Sequence, residues 1–176
     1  MRFTVEEVLP AGAVDGFYQL YQAAFGPLAT RAAARHLLSA EEFAAEMADP
    51  RIAKHVAWGE AGEPVAMSTV TTDLSAVAWI SPDFYAARYP EHAARRAIYY
   101  MGYTLVRPEC RNQGIYHRFN LRIAVEAKRA GGILALDVCG FNQSRRLPDS
   151  VAAMARQLGA EMTEVDVQRY YVVAPA

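Results

Sequence analysis

Between Tyr103 and Tyr116 the chain reads YTLVRPECRNQGIY, a β-type run that passes through proline, arginine and glycine into a helical run. A helix beginning there offers backbone N–H groups with no intrahelical acceptor and the positive end of its dipole, which together favour an anion. Gly114 lets the backbone approach a bulky phosphate where a Cβ would collide. Arg111 adds a charge-assisted donor, although its guanidinium can equally serve neighbouring carbonyls. The chemistry open to these residue types is the gripping of a pyrophosphate at the mouth of a strand-loop-helix unit. Arg-x-x-Gly alone carries almost no information, and a surface turn with a structural glycine accounts for those four residues as well.

The flanking elements must position that loop. Ile98 to Val106, rich in Tyr, Ile and Val, predicts the strand that enters it. Ile115 to Ala130 predicts the helix that leaves it, with Ile115, Phe119, Ile123 and Ala127 in one inward row. Arg118, Arg122, Glu126 and Arg129 fall on the wet side, with Arg122 and Glu126 spaced for an ion pair. Gly131-Gly132 ends the helix, and Ile133 to Val138 predicts a short buried strand. Upstream, the pattern predicts a strand over Arg2–Leu9 and a helix over Ala13–Phe25 stopped by Gly26-Pro27. A second helix is opened by the capping box Ser39-Ala40-Glu41-Glu42 and ends near Asp49-Pro50, and a hairpin runs over 52–60 and 65–73. Ser81-Pro82-Asp83 and Pro90 start short helical turns. A helix over Val151–Leu158 and a last strand or strands over Glu164–Val173 complete the order. Three consecutive strands before a β-α-β crossover give one α/β (α+β) domain over 1–176, a mixed sheet with helices on its faces.

The longer stretch Leu105-Val106-Arg107-Pro108-Glu109-Cys110-Arg111-Asn112-Gln113-Gly114-Ile115 resembles the acyl-CoA-binding motif of the GNAT (GCN5-related N-acetyltransferase) superfamily. There a strand ending in valine and Pro-Glu precedes Arg/Gln-x-x-Gly-x-Gly/Ala. Val138 to Asn142 resembles the family's Val-x-x-x-Asn, and Gln157-Leu158-Gly159-Ala160 the helix end closing the motif region. The resemblance is sharp from Tyr103 to Asn142 and topological elsewhere. It implies a central sheet splayed between the fourth and fifth strands. It implies that the amides from Arg111 through Asn112, Gln113, Gly114 and Ile115 to Tyr116 hold the CoA pyrophosphate. The backbone at Leu105 and Val106 would pair with the pantetheine arm, and Asn142 would touch the cofactor, although it reads equally as a turn asparagine.

The departures are chemical. Tyr116 stands where the family has a small residue, crowding the helix start. The helix position at which the family often carries a thiolate-protonating tyrosine is Ala155, and Gln143–Asp149 is longer than the pattern. The family's base is often a carboxylate on the central strands, yet 98–106 has none. Tyr99, Tyr100 and Tyr103 stand there, poor bases at neutral pH and read as lining or packing. Asp73 is a weak substitute whose default is a solvated strand end. Catalytic residues are therefore left unassigned. Trp79 to Arg96 inserts Trp79, Phe84, Tyr85 and Tyr89 where simpler members have a short turn. A similar insertion in the acyl-homoserine-lactone and N-acyl-amino-acid synthase branch suggests a wall for the acceptor or acyl pocket.

Composition excludes other classes. The chain has 176 residues, 18 Lys+Arg against 19 Asp+Glu and 53% hydrophobic residues, so it is globular and lacks the basic surplus of a non-specific nucleic-acid binder. Cys110 and Cys139 read as reduced thiols, and Cys139 falls near the expected thioester. Glu6 and Glu7 stand where a signal peptide would be apolar, and no run is long enough to cross a bilayer, so a cytoplasmic protein off the membrane is expected. His36, His55, His92 and His117 have no ligand spacing, which predicts no metal. The expected reaction is attack of a small-molecule amine on acetyl-CoA or another acyl-CoA. The alternatives are a long-chain synthase fed by an acyl carrier protein, and a non-catalytic acyl-CoA binder. Tyr170 to Val173 could form an edge that pairs across a homodimer.

Overall fold

The structure is a computed structural model describing residues 1–34, 37–111 and 113–175. Five strands, β1 (Arg2–Glu6), β2 (Ala53–Trp58), β3 (Pro64–Thr71), β4 (Ile98–Val106) and β5 (Ile133–Leu136), lie side by side in chain order. The first four are antiparallel, and β5 runs parallel to β4. The helices are α1 (Ala11–Phe25), α2 (Ala40–Ala48), α3 (Pro82–Arg88), α4 (Pro90–Ala94), α5 (Ile115–Arg129), α6 (Gly140–Ser144) and α7 (Leu147–Gln157).

Helices cover both faces. On one, α1 and α2 bring Phe17, Tyr21, Phe43 and Met47 down on Val56, Trp58, Met67 and Leu105. On the other, Ile115 and Phe119 of α5 seal Ala57, Val65 and Ala66. The inward row of α5 is as its spacing requires: Ile115, Phe119, Ile123 and Ala127 are all buried. Each large member contributes about 1.5–3 kcal/mol of burial, which seats the helix against the sheet. The α2 capping box is complete, with the Ser39 hydroxyl accepting from the Glu42 N–H and Glu42 reaching back to the Ser39 N–H. Ser81 likewise caps α3 through the Phe84 N–H.

Four expectations need correction. The end strands are shorter than their apolar runs: β1 stops at Glu6 and β5 at Leu136, since pairing and not hydrophobicity ends them. Arg122 and Glu126 form no ion pair, and two such solvated side chains gain little from one. The stretch after Cys139 winds into the one-turn α6, so Asn142 sits in a helix. Residues 160–175 form no strand at all, and Tyr171, Val172 and Val173 lie open to solvent. Alternation qualifies a segment for a sheet but supplies no partner.

Candidate functional site

The loop entering α5 is built by its backbone. After β4, Pro108–Cys110 makes a single 3-10 turn, and the Arg111 N–H closes it on the Pro108 carbonyl at 3.2 Å. Gly114 then takes φ +70° at the helix N-cap, with open space where a Cβ would project. The first bond along this turn of α5 runs from the Arg118 N–H to the Gly114 carbonyl, and no side chain caps the helix. The amides of Ile115, Tyr116 and His117 thus have no intrahelical acceptor. Arg111 contributes no free amide, only an exposed side chain. Asn112 and His36 lie outside the described residues. Tyr116 tucks its hydroxyl toward Asn120, and burial raises its pKa. The Arg107 Nε, at the end of β4, is buried without a partner; the sequence reading passed it over as part of Arg-Pro-Glu.

The splay has a local cause. β5 pairs with β4 only from Ile98↔Ile133 to Met101↔Leu136. On the other side, Val70 faces Met101 and Ser68 faces Thr104, so Thr69 alone stands opposite both Gly102 and Tyr103. That is a β-bulge in β4, at the residue after β5 lets go, and bulges bend a strand and re-aim its side chains. The Thr69 Oγ1 fills the irregularity by accepting from the Tyr103 N–H at 3.3 Å. A Cβ on Gly102 would stand 2.6 Å from that oxygen. Beyond the bulge, Leu105 is buried and Val106 half-buried, and the side of 102–106 turned from β3 has no strand beside it. A glycine inside a strand pattern is the sequence signal for such a bulge.

Because of the bulge, Tyr100 and Tyr103 both face α1 and α2 instead of alternating. Tyr100 donates a short hydrogen bond to Asp137, the residue after β5. The Trp79 indole donates to the Tyr100 hydroxyl at 3.1 Å and to Asp137 Oδ1 at 3.2 Å. The Tyr85 ring stands edge-on to Tyr100, 6.3 Å between centroids. Burial, then the Asp137 charge and its hydrogen bond, push the Tyr100 pKa far up, so this tyrosine keeps its proton. The insertion therefore delivers Trp79 and Tyr85 to the point where β4 and β5 part. Tyr89 packs instead on His92.

A carboxylate that the sequence reading missed lies on the same face. Glu46 follows Phe43 by three positions, on the inward side of α2. Burial raises its pKa; the Tyr103 hydroxyl and Lys54 hold part of the rise back, and Asp49 adds to it. The Tyr103 hydroxyl is buried, faces Glu46 and has no well-formed hydrogen bond. Lys54, fully buried, donates to the Glu7 and Asp49 carbonyls at 2.8 and 2.7 Å. Glu46, Thr69, Thr71, Trp79, Tyr100 and Gly102 line one small cavity of about 20 Å³. The signal available was an acidic side chain on the row of Phe43 and Met47.

The remaining candidates take lesser places. The Asp73 carboxylate accepts from the Ser75 hydroxyl at 2.6 Å and the Ser75 N–H at 3.1 Å, which lowers its pKa and makes it a cap. Cys139 is half-buried at the start of α6. The Arg31 and Arg145 guanidiniums both lie over the ring of Phe141, beside Asn142, at 5.2 and 5.6 Å from its centroid. His55 is buried under α5. Among the described residues no group of three or more His, Cys, Asp or Glu is placed to hold a metal ion, and no helix is long and apolar enough to cross a membrane.

No family model matches the chain, and no curated protein matches it. Solved structures do. The chain is similar to the aminoglycoside antibiotic 6'-N-acetyltransferase AAC(6')-Ih from Acinetobacter baumannii, with 14% identity, a TM-score of 0.55 and coverage of 98% of this chain and 100% of that one. It is similar to AAC(6')-Iy, solved in complex with the bisubstrate analogue CoA-S-monomethyl-acetylneamine, at 12% identity, TM-score 0.55 and the same coverage. It is also similar to the ribosomal-protein-S18-alanine N-acetyltransferase of Escherichia coli, at 16% identity and TM-score 0.51, over 90% of this chain and 77% of that one. At such identities the likeness is one of fold: the chain shares the fold of these N-acetyltransferases.

Proposed function

We propose that this chain, folded as the GNAT acetyltransferases are, transfers an acetyl or other short acyl group from acyl-CoA to the amine of a small molecule. One observation carries the reading: β4 parts from β5 at Gly102 and, past Val106 and one 3-10 turn, leads into a helix started at Gly114 whose first amides have no acceptor among the described residues. The unpaired side of 102–106, with Leu105 and Val106, is the surface a pantetheine arm could join as an added strand. The diphosphate then reaches the amides of Gln113 to His117, with the Arg107 and Arg111 side chains as charged donors. The open space over Gly114 fits a phosphate oxygen. Asn142 would close the site from α6.

The residues supply positioning and electrostatics. Amine and thioester held together at the bulge gain the advantage of an intramolecular reaction. A free amide of the splayed strand meets the oxyanion as it forms. Asp137, exposed beside Trp79, provides an acidic and aromatic approach suited to a cationic amine. No residue takes the family's thiolate-protonating position, since Ala155 brings no proton; solvent and the acceptor nitrogen must supply it.

Calorimetry with CoA, followed by thiol-release assays with acetyl-CoA over a panel of aminoglycosides, polyamines and amino-acid amines, tests the proposal. Binding plus release with a small amine is expected. Release only from long-chain acyl carrier protein would replace the donor, binding without release would leave an acyl-CoA binder, and the absence of both would overturn the reading.

A further inference from the structure

We infer that Glu46 is the general base of the site, taking the acceptor's proton through one water held in the cavity between α2, β3 and the bulge of β4. The inference rests on the acyl-transfer reading and adds the group that sequence reasoning could not assign. The cavity volume, about 20 Å³, accommodates roughly one water. Gly102, the first residue of β4 without a β5 partner, is among its lining residues, so the cavity borders the point where amine and thioester would meet.

The hydrogen bonds around it are unevenly filled. The Thr71 hydroxyl is used up by the Arg51 and Asp73 carbonyls and the Asp73 N–H. Tyr100 and Trp79 are committed to each other and to Asp137. What remains is the hydroxyl hydrogen of Thr69, whose oxygen already accepts from Tyr103, and the Glu46 carboxylate. A water there accepts from Thr69, donates to Glu46 and keeps one lone pair for an incoming N–H. The groups facing Glu46 are Tyr103 from β4, Lys54 from β2 and Asp49 at the end of α2. None forms an ion pair with it within the described residues. A half-buried carboxylate beside an ill-bonded tyrosine hydroxyl is a poor structural element. Raised by burial, it is a stronger base than an exposed glutamate.

The step balances. The acceptor ammonium gives one proton to the water, which passes one to Glu46. The freed nitrogen lone pair forms the C–N bond, and the C–S bond breaks with its electrons on sulfur. The second nitrogen proton goes to the thiolate, and Glu46 returns its own to solvent.

Glu46→Gln, isosteric and uncharged, is the test, read with CoA calorimetry, thermal melting and a pH profile of kcat/KM. CoA affinity should stay within twofold and the melting temperature should hold or rise. At neutral pH kcat/KM should fall by about 10²-fold or more, and its acid limb should move to the pKa of the amine. Thr69→Val should cost about tenfold through loss of the water's donor, with the acid limb unmoved. A wild-type rate in Glu46→Gln, or a fall with the wild-type limb intact, overturns Glu46 as base. A wild-type rate in Thr69→Val overturns the water. A wild-type chain that neither binds CoA nor releases thiol overturns the acyl-transfer reading itself.

Discussion

The nine residues of β4 divide at Gly102 into two halves with different duties. Residues 98–101 all pair with β5, Tyr100 and Met101 pair with β3 as well, and Ile98 and Tyr100 are buried. Residues 102–106 keep β3 and lose β5. The first half is paired along its whole length on the β5 side, so substitutions there act on folding. The second half holds backbone groups in fixed geometry without a strand to satisfy them, which is the requirement for a backbone binding site. One bulge makes the difference.

The comparison breaks most visibly at two glycines. A Cβ on Gly132, where β5 begins, would meet the Ala97 carbonyl oxygen at 2.6 Å and the Tyr99 ring at 2.7 Å. Backbone cannot step aside as a side chain can. Gly132→Ala should cost about 1–3 kcal/mol or more, a fall in melting temperature of roughly 2–12 °C, while the surviving folded fraction binds CoA normally. Gly114→Val, in the loop after the free half, should do the reverse. Nothing lies within 4 Å of its Cβ, but φ +70° is strained for a β-branched residue, and the methyls would occupy the phosphate's space. CoA affinity by calorimetry should fall on the order of 10–100-fold. If the two variants exchanged these phenotypes, β4 would not divide as described.

Gly102→Ala sharpens the boundary itself. The new methyl displaces the Thr69 hydroxyl from the Tyr103 N–H, because a methyl carbon and a hydroxyl oxygen cannot sit 2.6 Å apart. About 1–2 kcal/mol should be lost, read as roughly 2–6 °C of melting temperature, and Gly102→Ala with Thr69→Ala should regain most of it. Failure of the second change to restore stability would mean that Thr69 does not fill the bulge.

How much of this was legible beforehand follows from where the forces are local. Ser39 and Glu42, Ser81, the α5 row and the limits of β4 rest on neighbours within four residues or on one strand's composition, and the sequence displays them. The loop proposed to hold the pyrophosphate was legible through its glycine and helix start, although the 3-10 turn that consumes the Arg111 amide was not. Glu46, Asp137 and Trp79 are separated by as many as 91 positions; Glu46 and Trp79 line one cavity and Trp79 bonds Asp137 only because the fold brings their elements together. No spacing rule could have joined them. Gly102 carried the hint, as a glycine inside an otherwise clear strand.

A smaller effect probes the opposite face of the free half. His55 pairs with Ser68, which pairs with Thr104, and Ser68 and Thr104 exchange a 2.9 Å hydrogen bond under α5. Burial holds the His55 imidazole below its ordinary value, Arg122 adding and Glu126 opposing. The unfolded chain therefore binds a proton from about pH 6.5 downward that the folded chain resists. Stability is lost as pH falls through that region and stays lost below the folded value. Denaturant titrations at pH 8 and pH 5.5 should show the slope, and His55→Leu should flatten it; an unchanged slope would place the sensitivity elsewhere.

The smallest effect is expected where an alternating sequence met no partner. By withdrawing from β4, β5 leaves itself four paired residues and, among the described residues, an outer edge with no strand, and the tail 160–175 forms no strand to pair with it. Val172 and Val173 are 92% and 97% exposed, so their removal costs almost no buried area. Truncation after Asp166 should therefore leave the melting temperature within about 1 °C, because substitutions and deletions clear of packed structure fall near ±0.5 kcal/mol. CoA affinity should be unchanged as well, since nothing in the 113–117 loop leans on the tail. A drop of several degrees that depends on protein concentration would show the tail engaged on a second copy, and one independent of concentration would show it paired on β5 of its own chain. In the second case the outer edge of β5 would be filled, leaving the free half of β4 and the outer edge of β1 as the sheet's open backbone.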